Sequence, residues 1–215
     1  MFIFRTMFLM LLFSFSLCGE TVFTDPLIQK VVSLHDQALN GNSKDVQKAE
    51  EVINQALLQS PDNQLLRAYL GSLLTIKSSK ALPGIKKWKY FTGGLKMMDD
   101  AVDAAPHDVA VRLVRAMNNS QLPRIFNRRD NARADFQYIF RQFENDPQLA
   151  TEFNTATQQA IYYNAGVALL KSRATLDAKE AWEKGLALGK NTAWGEKMAK
   201  AIEKIQKKTW RLTQS

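Results

Sequence analysis

Tyr162-Tyr163-Asn164-Ala165-Gly166-Val167-Ala168-Leu169, followed twelve residues after its glycine by Ala178-Lys179-Glu180-Ala181-Trp182-Glu183-Lys184-Gly185, sets out two helical faces in succession. Tyr162, Gly166 and Leu169 recur at steps of four and three, as do Ala178, Trp182 and Gly185. That period places each trio along one side of an α-helix. Small residues on such a face let a neighbouring helix approach closely, and the bulky residue between them fills the groove. The stretch therefore predicts a pair of antiparallel helices in close contact.

The same steps recur towards the N-terminus. Ala49, Ile53, Ala56 and Pro61 stand four, three and five apart, and Gly94, Met98, Ala101 and Pro106 repeat the spacing. Ten residues after each proline comes a small residue, Gly71 behind Leu70 and Ala116 behind Arg115. This order of small, bulky, small and proline resembles the tetratricopeptide-repeat family over roughly residues 26 to 207. The resemblance implies an all-α, right-handed solenoid of about four helix pairs. Leu27, Val31, Leu34 and Ala38 would open the first pair, and Ala132, Phe136, Ile139, Phe140 and Phe143 would form the second helix of the third. Trp194, Met198, Ile202 and Ile205 make one face of a terminal capping helix whose other face is lysine-rich. Asp or Asn beside the turns at Pro61, Pro106 and Pro147 can cap the helix that follows.

The repeats are longer than the family's usual 34 or so residues: Gly71 to Ala116 is 45 and Ala116 to Gly166 is 50. The excess is expected in loops between Leu74 and Gly94 and between Asn119 and Ala132. A helical extension through Phe153 would absorb more.

Ahead of the periodic region, Arg5 precedes the apolar and hydroxyl run Met7 to Leu17, then Cys18, Gly19 and Glu20. This is the pattern of a secretory signal peptide, too short to span a bilayer comfortably. The expected organisation is a signal over residues 1–19, a helical domain over 20–209 and a tail over 210–215. Cys18 also stands where bacterial lipoproteins carry their lipid, although Leu17 and Phe15 occupy places that usually hold a small and an aliphatic residue. Cleavage near Cys18 or Gly19 would place the protein in the periplasm or outside the cell, and lipid anchoring through Cys18 is the alternative.

Composition narrows the chemistry. The 215 residues include one Cys, two His and a net charge of +8, and cleavage at Gly19 removes only Arg5 among the charges. A mature chain without cysteine has no disulfide, thiolate or Cys-based metal site. His35 and His107 each stand alone, so no metal or other cofactor is expected. No phosphate-cradling glycine loop or nucleophile elbow occurs, and Glu50-Glu51, Asp99-Asp100 and Asp130 with Asp135 fall at positions expected to be solvated. No catalytic residue set is named, and export argues against a nucleic-acid partner.

Two surfaces are candidates for binding. Leu82-Pro83-Gly84-Ile85-Lys86-Lys87-Trp88-Lys89 and Leu122-Pro123-Arg124-Ile125-Phe126-Asn127-Arg128-Arg129 align forty residues apart. As equivalent loops of adjacent repeats they would place Lys86, Lys87, Lys89, Arg124, Arg128 and Arg129 on one edge, an anion-binding strip beside Trp88, Tyr90, Phe91 and Phe126. The plainer expectation is that Ile85, Trp88, Ile125 and Phe126 tuck against the helices beneath.

The second surface follows from the family resemblance, in which first helices line a concave groove for a protein or peptide. There Arg67, Arg112, Arg115, Asn119, Tyr163 and Asn164, with Asn63, Tyr69 and Asn118, would supply contacts. Arg112 and Arg115 are also open to pairing with Asp100 or Asp103. The expected function is a non-catalytic binding scaffold of the bacterial cell envelope, with adhesion to anionic lipid or cell-wall polymer through the basic loops as the alternative.

Overall fold

A computed structural model describes residues 25–213, and the expected signal peptide and Cys18 lie outside them. The described chain is helical, without strands: α1 Pro26–Asn40, α2 Ser43–Gln59, α3 Gln64–Lys80, α4 Ile85–Ala104, α5 Val109–Gln121, α6 Arg129–Asn145, α7 Pro147–Thr151, α8 Thr155–Lys171, α9 Thr175–Ala187 and α10 Ala193–Thr213.

Local chemistry sets the boundaries. Asn63 accepts from Leu66 N at 3.0 Å, Asp108 from Ala110 N at 2.8 Å and Asn154 from Thr157 N at 2.9 Å, each satisfying an orphan amide of a first turn. Asp146 caps the short α7, with Pro147 as its first residue. Asn42 and Asp45 form a reciprocal capping box on α2.

Packing follows the sequence order. α1 lies against α2, α3 against α4, α5 against α6, α8 against α9 and α9 against α10. In addition, α1 touches α3, α3 touches α5, α5 touches α8 and α8 touches α10, forming one continuous row. The small residues sit at the crossings. A β-carbon on Gly71 would come within 2.7 Å of the Gly94 carbonyl oxygen and 2.9 Å of Met98 Cγ, so α3 and α4 meet backbone to backbone. On Gly166 it would land in the indole of Trp182, which is buried and donates through Nε1 to the Tyr163 carbonyl at 3.0 Å. Ala101, Ala116 and Ala178 are buried as well.

Several expectations are corrected. The excess length between α3 and α4 is helix: residues 81–84 alone connect them, and Lys86, Lys87, Trp88, Lys89, Tyr90 and Phe91 lie on the first two turns of α4. Gly84, at φ 140°, starts that helix in a conformation few other residues adopt. The second connection holds a 3-10 turn, Arg124–Phe126, closed by Asn127 at φ 52°. Phe153 is buried after the separate α7 and is no extension of it. In α1 Ile28, and not Leu27, enters the core. The final helix runs from Ala193 to Thr213.

Candidate functional site

The residues expected in a groove divide among three environments. On α5, Arg112, Arg115 and Asn119 follow at steps of three and four, on a side closed by the ion-pair partners of α4 and α6. Asp135, fully buried on α6, accepts from Arg112 Nη1 at 2.7 Å and from Arg115 Nε and Nη2 at 2.8 and 2.9 Å. Arg115 also donates to Asp99 Oδ1 on α4 at 3.2 Å, and Arg128 Nη2 reaches Asp99 Oδ2 at 2.6 Å. Arg112 further donates to the Pro106 carbonyl at 2.6 Å and lies 4.4 Å above the Tyr138 ring.

This network joins α4, α5 and α6 by charge-assisted, forked bonds. Burial opposes the charge on Arg115, but Asp135 and Asp99 together outweigh it and hold the guanidinium above its usual pKa. The partners are Asp135 and Asp99, not Asp100 or Asp103. Asn119 is buried beside this side of the helix, and its amide has no hydrogen-bond partner among the described residues.

Asn164 is buried too, donating to the Ala160 carbonyl at 2.8 Å and accepting from Gln121 Nε2 at 2.5 Å. Tyr163 packs its ring 5.3 Å from Trp194. Arg67 is exposed but donates to the Pro61 carbonyl at 2.9 Å, the same bond to a proline six residues back that Arg112 makes to Pro106. The six residues therefore share no open surface.

The edge behaves differently. Trp88 and Phe91 stand 5.9 Å apart and Phe91 and Phe126 4.4 Å apart, so a line of rings joins the start of α4 to the 3-10 turn. The two aligned motifs do meet. Leu82 is 87% exposed, Ile85 77%, Ile125 85% and Trp88 59%. Ile85, Trp88 and Ile125 project outward instead of tucking down, and only Phe126 is half-buried.

The six cations of the edge split into two groups. Arg128 is taken by Asp99, and Arg129 caps the end of α8 by donating to the Lys171 carbonyl at 3.0 Å. Beside it, burial first and Arg129 second hold the Lys171 ammonium below its usual pKa. Lys86, Lys87, Lys89 and Arg124 have no carboxylate partner among the described residues, and all but the half-buried Lys87 are exposed. No Asp or Glu occurs from Asn63 to Met98 or from Val109 to Arg129. The acids nearest in the adjoining groove are Glu50, held by Lys77, and Glu51, both from α2, so the four cations carry an excess of positive charge around the apolar side chains.

Beside the edge, an open groove of about 940 Å³ runs between α2 and the α3–α4 connection. Its chemistry is mixed: Glu50 holds Lys77 at 2.5 Å, and Lys77 lies 4.8 Å from the Tyr90 ring. Among the described residues no group of three His, Cys, Asp or Glu is placed to hold a metal, and no helix is long and apolar enough to cross a membrane. Compared with protein-family models, curated proteins and solved structures, the chain matches none of them.

Asp99 and Asp135 were not legible as partners, although a signal existed. Asp135 falls three residues after Ala132 and four before Ile139, within the apolar stripe of α6, and Arg115 occupies the apolar place of the α5 pattern. A buried position of each sign on consecutive helices calls for pairing.

Proposed function

We propose that the chain is an exported, non-catalytic binding module, a tetratricopeptide-like solenoid of four helix pairs and a capping helix. It holds an anionic partner through the edge formed by the start of α4 and the 3-10 turn. The row α1, α3, α5, α8, α10, with glycine and alanine at the crossings, supports the repeat reading. The apolar run Met7 to Leu17 supports export. The observation that carries the choice of surface is the exposure of Leu82, Ile85 and Ile125 among the unpaired Lys86, Lys89 and Arg124. Large aliphatic side chains interspersed with free cations suit an interface that supplies both apolar cover and negative charge.

The test compares two charge-reversed chains of equal net charge for retention on an immobilised polyanion such as polyglutamate. Lys86→Glu, Lys89→Glu and Arg124→Glu together should abolish retention. Lys30→Glu, Lys44→Glu and Lys200→Glu, all distant in sequence and exposed, should leave most of it. Equal loss in both would mean that net charge alone is read. Loss confined instead to an Arg67→Ala, Tyr163→Ala chain would move binding off the edge and onto the surfaces around those two residues.

A further inference from the structure

Resting on that reading, we propose that the anionic partner is a lipid bilayer. Leu82, Ile85, Trp88 and Ile125 enter its interfacial layer, while Lys86, Lys89 and Arg124 meet its negatively charged headgroups.

Three features of the edge favour a fluid surface over a folded partner. First, the exposed apolar side chains stand at two places forty residues apart in sequence, with cations beside each: Leu82 in the α3–α4 connection with Ile85 and Trp88 on the first turn of α4, and Ile125 in the 3-10 turn. Leu82 and Ile85 form one rim of the open groove beside α2, while Ile125 stands on the separate turn. A protein partner would need a matching pocket for each tip, whereas lipid accommodates isolated side chains at any spacing. Second, the side-chain types suit a membrane interface. The three aliphatic groups are each more than three-quarters exposed, the indole of Trp88 is 59% exposed, and the long lysines beside it can extend their ammonium groups along the surface. Third, the edge carries an excess of positive charge: Lys86, Lys89 and Arg124 have no carboxylate partner among the described residues, and of the two acids in the adjoining groove Glu50 is held by Lys77, leaving Glu51. An anionic leaflet attracts such a cluster within a Debye length. The contacts from Trp88 through Phe91 to Phe126 keep both tips on one rigid base, so both engage together.

The experiment uses protein purified from the producing cell with whatever N-terminus it carries. It is sedimented with vesicles of phosphatidylcholine alone or with phosphatidylglycerol added, over a salt series. The unaltered chain should bind the phosphatidylglycerol vesicles, and more weakly as salt rises. Replacing Lys86, Lys89 and Arg124 by Gln should weaken binding about a hundredfold, at roughly fivefold per cation. A Leu82→Ser, Ile85→Ser and Ile125→Ser chain should lose vesicle binding yet keep its retention on polyglutamate. Brominated lipid should quench an emission component present in the unaltered chain and missing from Trp88→Phe, which reports insertion at that indole whatever the N-terminus does. All these positions are at least partly exposed, and far-UV circular dichroism checks that each variant is folded.

Polyglutamate retention through the edge without vesicle binding would overturn the lipid assignment and leave the proposed function standing. Failure of both would overturn both. Equal binding to the two vesicle types, undiminished by the Gln substitutions, would also overturn the lipid assignment, as would full vesicle binding by the Ser variant.

Discussion

Replacing Asp135 by Asn changes the charge of one buried side chain and almost nothing of its volume. The carboxylate is fully buried and accepts three hydrogen bonds of 2.7 to 2.9 Å from Arg112 and Arg115. After the substitution one oxygen at this position still accepts a hydrogen bond, but an NH2 group replaces the other and the negative charge is gone; Arg115 keeps its 3.2 Å contact with Asp99, and Arg112 the Pro106 carbonyl and the Tyr138 ring. Removing one partner of a buried, hydrogen-bonded ion pair costs about 3–5 kcal/mol, because the remaining charge is left desolvated. For a chain of this size each kcal/mol lowers the melting temperature by about 2–4 °C, so a fall of roughly 6–20 °C is expected. The assay is urea and thermal unfolding followed by far-UV circular dichroism. Asp100→Asn serves as the comparison: its partner Lys96 is exposed, and the pair is worth at most about 1 kcal/mol. A cost for Asp135→Asn no larger than that of Asp100→Asn would refute the claim that this carboxylate ties α4, α5 and α6 together.

Gly71→Ala should destabilise by about 1–3 kcal/mol in the same assay, since its new methyl meets the Gly94 carbonyl and Met98 across the α3–α4 crossing. Ile85→Ser and Ile125→Ser should each change stability by no more than about 0.5 kcal/mol, because neither side chain is part of the core. Burial, with Asp36 adding, raises the Tyr69 phenol well above its ordinary value of 10. A raised pKa of this kind contributes stability that is full below pH 10 and lost as pH climbs towards the folded-state value. Unfolding titrations above pH 10 should therefore show a falling limb that is shallower in Tyr69→Phe.

The helices were legible because their buried stripes recur at three and four residues without much interruption, as in Ala49, Ile53 and Ala56 or Ala178, Trp182 and Gly185. Caps at Asn63 and Asp108 marked their starts. The connection before α4 was less readable. Pro83-Gly84 and the lysines after it suggest a loop, yet Gly84 begins a helix whose first turns are amphipathic and open to solvent. The groove residues misled for a different reason. Repeat position alone does not say which side of a first helix stays open, and α5 packs against α3, α4, α6 and α8. Little of its surface is left to bind anything, so Arg112 and Arg115 became internal. The cation strip was half legible. Its two motifs do converge, but Asp99 and the end of α8 claim Arg128 and Arg129, and no local pattern announces a partner so far along the chain.

Hydrogen exchange with mass spectrometry, run on the chain with and without phosphatidylglycerol vesicles, most directly tests whether the edge is the working surface. Slower exchange should appear in peptides covering residues 81–91 and 122–128 and nowhere else on α1, α2 or α9. Protection over α3 and α8 near Arg67 and Tyr163, with residues 81–91 unchanged, would contradict the account.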